Sequence, residues 1–174
     1  MSRLLTDLFL AELDEEARIT RRVLERVPEG RNDWKPHPRS MPLGYLAVLV
    51  AMLPGWVALT LNQDELDLAP VNAPKPIQKQ ADSNAELLAM FDDAVARSRA
   101  ALQATTDGHL HTSWRLLVGG HVVLEQSRLL VLRHSTFNHL AHHRGQLTVY
   151  LRLNDAHVPS IYGPTADEPQ FGTA

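Results

Sequence analysis

Residues 41–61, MPLGYLAVLVAMLPGWVALTL, run for about twenty residues without a charged side chain. Such a segment has two fates. It crosses a membrane, for which about 20 apolar residues suffice, or it is buried by the rest of its own chain. Pro42, Pro54 and two glycines interrupt it, and Arg39 is its one close basic flank. Membrane helices are usually set by basic flanks and interfacial anchors. The segment therefore reads as a buried core helix, and no membrane partner is expected. Pro54 should kink it, because proline removes a backbone donor and clashes with the preceding turn.

A helix apolar all round needs cover on several sides, and the chain supplies candidates. Residues 3–27 place Leu5, Leu8, Leu13, Ile19, Val23 and Leu24 at helical spacing, with acids and arginines between. Asp7 and Glu12 break that apolar run, so it matches neither a signal peptide nor a membrane span. Ser83 with Glu86 forms a capping box that opens a helix to about Ala104, with Leu87, Leu88, Phe91, Val95 and Leu102 turned inward. The last helix starts near Ser127 and ends near Leu153. Before it, two β-prone runs flank Gly119-Gly120, a favoured hairpin turn. Ser40 is the expected N-cap of the apolar helix, with Pro42 in its first turn. Proline-rich crossings precede and follow that helix.

These segments predict an all-α fold: a four-helix bundle with long crossover connections and a small β-hairpin before the last helix. With 174 residues, 44% hydrophobic and 21% charged, residues 1–174 are expected to form one domain. Net charge is −3 and no basic cluster stands out, so nucleic acid is not an expected partner. The chain has no cysteine, which suits the cytoplasm and leaves only His, Asp and Glu as metal ligands.

Three of the nine histidines crowd into NHLAHHRGQ, residues 138–146. His139 and His143 are four apart, roughly 40° on a helical wheel, and share the apolar stripe with Leu132, Thr136, Leu140, Gln146, Leu147 and Tyr150. His142 sits at the flank. A metal is one use of such a pair, but a catalytic zinc takes three protein ligands. The other use is two half-buried imidazoles, each hydrogen-bonded to a neighbour.

FNHLAHHRGQLTVYLRLNDAHVPSIYGPTADE resembles the C-terminal signature of the DinB-like (damage-inducible DinB) superfamily. RRVLERVPEGRNDWKPHPRSMPLGYLA, PGW and SWRLLVGGHVVLEQSRLLVLR resemble its earlier segments, in the same order along nearly the whole chain. The resemblance implies a four-helix bundle with a divalent metal, zinc or nickel, held by three histidines. Two of these match His139 and His143. It also implies thiol S-transferases or related enzymes acting with low-molecular-weight thiols, frequent homodimers, and a tail that folds back over the bundle.

The third histidine of the family pattern, approximately S-x-x-L-G-x-L-A-x-H, falls on Leu49. Residues 41–61 contain no His, Asp or Glu. Leucine has no lone pair to give, so a divalent metal at His139 and His143 is expected to be weakly bound or absent. Glu12, Glu16 and His121 are substitute ligands without a spacing argument. Two functions stay open: an altered metal-dependent transferase or hydrolase, and a non-catalytic, stress-related bundle binding a small molecule. Around the pair, Arg144 is expected on the surface or bound to the tail, and Gly145 at a close approach. Asp167 and Glu168 are expected to pair with arginines.

Overall fold

The computed structural model describes residues 3–71 and 80–169. Part of the second proline-rich crossing, residues 72–79, lies outside the described residues. The fold is mostly helical with a small three-stranded sheet. In order come α1 (Leu4–Leu24), α2 (Leu43–Met52), a 3-10 turn (Leu53–Gly55), α3 (Trp56–Asn62), β1 (Glu65–Asp67) and α4 (Asn84–Ala104). Then follow α5 (Asp107–Leu110), β2 (Ser113–Val118), β3 (His121–Ser127), α6 (Arg128–Val131), a π-helical stretch (Leu132–Asn138) and α7 (His139–Leu153).

The segment Leu43–Asn62 is long and apolar enough to cross a membrane by length and composition. In the structure it packs between α4 and α7. One core cluster joins Leu43, Leu46 and Val50 to Leu87 and Phe91 of α4 and to Leu140, Leu147 and Leu151 of α7. A second joins Val57 and Leu61 to Phe9 and Leu13 of α1 and to Leu132 and Phe137. On α1, Phe9 is buried, whereas Leu8, placed with the apolar stripe by spacing, is 61% exposed.

The ends and the break of this segment are finished by groups from elsewhere. Ser40 does not cap it. The N-cap is Pro42, and the first donors are taken by a crossing loop: Leu43 N donates to Trp34 O at 2.9 Å and Gly44 N to Asn32 O at 3.0 Å. Gly44 is required for that approach, since a Cβ there would lie 2.9 Å from the Asn32 side chain. At the break, the Ser98 hydroxyl enters the helical ladder. It accepts from Ala58 N at 3.3 Å and donates to Pro54 O at 2.7 Å, bridging the two groups that an α-helix would bond directly. At the far end, Arg128 donates to Thr60 O and Gln63 O, and His109 Nε2 lies 3.0 Å from Leu61 O.

The capping box forms, with Glu86 N donating to Ser83 Oγ at 3.1 Å. The hairpin also forms. Gly119 and Gly120 have φ of +60° and +79°, left-handed values that glycine adopts without a Cβ penalty. The sheet gains a strand that the sequence pattern did not reveal: β1 pairs in parallel with β2, and Asp67 accepts from both turn glycines.

The last helix is not uniform. Leu132 and Phe137, five apart, would point roughly 140° apart on an α-helix; i→i+5 bonding brings them to one side. Both are buried, and Phe137 stacks on Phe9 at 5.7 Å.

Ser98 is fully buried between two backbone groups with no other described partner. Ser98→Ala should therefore lower stability by about 1–3 kcal/mol, the cost of unsatisfied buried polar groups. Urea unfolding measures this, and a loss below about 0.5 kcal/mol, a surface-like effect, would count against the bridging role.

Candidate functional site

α7 begins at His139, and its first turn carries His139, His142 and His143. His139 and His143 are half-buried and His142 is exposed, as the wheel placed them. The two inner imidazoles converge: Nε2 of His139 lies 2.8 Å from Nε2 of His143, with ring centroids 4.6 Å apart. Trp56 meets His139 edge-on at 5.6 Å, so α3 forms one wall of the site. Leu49 is half-buried on α2 against the core cluster that contains Leu140, Leu147 and Tyr150.

The outer nitrogens are also engaged. His143 Nδ1 lies 2.7 Å from Gln146 Oε1, and Gln146 Nε2 lies 3.0 Å from His142 Nε2. Burial pushes the pKa of His139 below the ordinary value, and the neighbouring His143 acts in the same direction. A hydrogen bond to the Ser135 backbone opposes both. Because its folded pKa is depressed, His139 is neutral at neutral pH and able to accept a hydrogen bond.

Convergence of two nitrogens, each ring held on its far side, is how histidine ligands are usually oriented. The third position is hydrocarbon, and among the described residues no group of three His, Cys, Asp or Glu is placed to hold a metal ion. Ligands of a tetrahedral zinc stand about 3.3 Å apart, so the 2.8 Å contact is a hydrogen-bond separation that must open slightly to admit one. The residues present fit a two-nitrogen seat and not a three-histidine centre.

The substitute ligands are committed elsewhere or lie away from the pair. Glu12 is bound by Arg133. Glu16 is bound by Arg144 at 2.7 Å and accepts from the Tyr162 hydroxyl at 2.7 Å. His121 is exposed at the start of β3, paired with Val118.

Arg144, next to the pair, is not a surface group. It is 1% exposed, donates to Thr20 Oγ1 at 2.9 Å and to the Tyr162 hydroxyl, and its guanidinium lies 5.1 Å from the Tyr162 ring centroid. It binds the tail, one of the two roles expected for it. Gly145 does not serve a close approach, because nothing lies within 4 Å of a Cβ built there. Tyr150 is a core tyrosine whose hydroxyl donates to Met41 O at 3.2 Å.

The family match decides the lineage. The sequence model of the DinB family matches residues 1–173. The chain belongs to the DinB family. Two solved DinB-like proteins share this DinB fold. One, from Bacillus cereus ATCC 10987, has a TM-score of 0.67 at 20% identity, covering 88% of this chain and 95% of its own. The other, YjoA from Bacillus subtilis, has a TM-score of 0.63 at 16% identity, covering 87% and 96%. No curated protein matches this DinB chain.

The DinB tail is clasped by carboxylates. Asp167 takes Arg152 and the Val158 N–H, and Glu168 takes Arg22, His157 and the Ser160 N–H. His157, the Ser160 amide and Arg22 together hold Glu168 below the usual 4.5, at about 2. A depressed carboxylate stabilises above its unfolded pKa and loses that contribution as pH falls through the folded one. The tail should therefore loosen between about pH 4.5 and about 2, and Glu168→Gln should flatten this dependence. Hydrogen exchange of Val158 and Ser160 across that range checks it; protection independent of pH would contradict it.

Proposed function

We propose that this chain is a DinB-type four-helix bundle that binds a small organic molecule, with low-molecular-weight thiols as the class, beside a histidine pair that holds a divalent metal only weakly. The observation that carries this reading is the pair itself: two Nε2 atoms 2.8 Å apart, with no third donor grouped with them among the described residues. Around them the surface is apolar. Tyr45, Leu49, Met52, Trp56 and Leu59 follow one another at helical spacing along Leu43–Asn62, each half-buried, and Trp56 touches His139. Such a wall suits the carbon skeleton of a ligand, while neutral His139 accepts a hydrogen bond from its S–H or O–H group.

A second reading, a metal-dependent transferase or hydrolase, is favoured by the hydrogen bonds on the outer nitrogens, which orient both rings toward a common point. It requires zinc or nickel to be held by two imidazoles, with remaining positions filled by water or substrate. For either reading we propose a cytoplasmic homodimer, with part of the half-exposed apolar stripe turned to a second copy and no nucleic-acid or membrane partner.

The test is metal content and repair. Protein purified without a His-tag should contain far less than one zinc or nickel per chain; near-stoichiometric metal would sink the first reading. Leu49→His should raise zinc affinity on the order of 100-fold by supplying the third ligand, and His143→Ala should abolish that gain. Calorimetric zinc titration of the three proteins measures it. No gain would mean that position 49 does not face the pair.

A further inference from the structure

His143 uses both ring nitrogens, and the partner of each decides where its hydrogen resides. Nδ1 faces Gln146 Oε1 at 2.7 Å and Nε2 faces His139 Nε2 at 2.8 Å. Beyond Gln146, its amide nitrogen lies 3.0 Å from Nε2 of the exposed His142. Beyond His139, the Ser135 backbone is the hydrogen-bond partner. Since His139 Nε2 is turned to His143, Nδ1 donates to the Ser135 carbonyl. Neutral His139 therefore presents a bare Nε2.

With Gln146 Oε1 toward His143, Nδ1 of His143 must carry the hydrogen, because a carbonyl oxygen only accepts. Neutral His143 then also presents a bare Nε2. Two lone pairs meet at 2.8 Å, a contact that repels unless a cation stands between them. Turning the amide over removes the conflict. Its NH2 then donates to His143 Nδ1, and His143 Nε2–H donates to His139. Gln146 Oε1 accepts from His142 Nε2–H. All three rings stay neutral, and the amide occupies the same space, since its oxygen and nitrogen are nearly equal in size.

We propose that Gln146 is a positioning residue that works as an amide switch: its NH2 faces His143 when the pair is free of a cation, and its oxygen faces His143 when a divalent cation sits between the two Nε2 atoms. The turn passes outward. His142 carries its hydrogen on Nε2 in the first state and on Nδ1 in the second, so occupancy of the half-buried pair is displayed at the surface. The cation-bound arm rests on the weak-seat reading above; the cation-free arm does not.

Nitrogen NMR of the histidine rings reads the tautomers directly, at about pH 8, above the ordinary histidine range. The metal-free protein should show His143 and His142 both protonated at Nε2. Gln146→Glu offers acceptors on both sides, so its metal-free form should already show both rings protonated at Nδ1. Zinc chloride should drive the unsubstituted protein to that same pattern. Zinc affinity should fall about 10-fold or more in Gln146→Leu, as for loss of other groups that orient a ligand, and not in Gln146→Glu. A metal-free His143 protonated at Nδ1, or at both nitrogens, overturns the proposal. So does a Gln146→Glu protein whose tautomers match the parent. If zinc binds none of the proteins, the weak-seat reading fails, while the metal-free comparison still decides the role of Gln146.

Discussion

The segment Leu43–Asn62 contains almost nothing that could satisfy its own backbone. Its start has no capping side chain, its middle is broken by Pro54, and it ends in Leu61 and Asn62. Buried backbone polar groups must nevertheless be paired. The rest of the molecule meets that demand. Carbonyls of Asn32 and Trp34 take the first amides, Ser98 of α4 bridges the break, and Arg128 and His109 reach the last carbonyls. Arg128 is 2% exposed and also holds Asp64, Thr112 and Ser113, so the same guanidinium joins the end of α3 to the sheet and to the start of the last helix.

That poverty in polar side chains also shapes the site. A segment without His, Asp or Glu cannot reach across to α7 with a ligand. What it presents to the histidines is an aromatic edge, Trp56 on His139. The imidazoles consequently turn to each other and to Gln146. Desolvation by these apolar neighbours keeps His139 neutral, which suits accepting a hydrogen bond.

What was legible in the sequence was local. The capping box at Ser83, the Gly119-Gly120 turn and the i, i+4 histidines each depend on a few consecutive residues, and each has its expected geometry. Ser40 failed as a cap because a distant loop arrives with carbonyls first. Strand β1 escaped notice because three residues, Glu65–Asp67, carry no alternation and exist as a strand only beside β2. The π-helical stretch is set by packing of Phe137 on Phe9, more than a hundred residues away. Arg128 and Arg144 look like surface arginines in one dimension; their burial follows from partners up to 128 residues distant.

The tail contacts bear on the order of events in folding. Glu16 and Tyr162 are 146 residues apart, as are Arg22 and Glu168. Arg144 is enclosed only when both α1 and the tail have arrived, and an enclosed guanidinium lacking its carboxylate would cost several kcal/mol. Contacts of such separation form after the loop-closure entropy of the intervening chain has been met. The knot of Glu16, Arg144 and Tyr162 thus works as a latch. It rewards only a chain whose opposite ends have already found each other, and it couples the integrity of the histidine-bearing helix to the completeness of the whole fold.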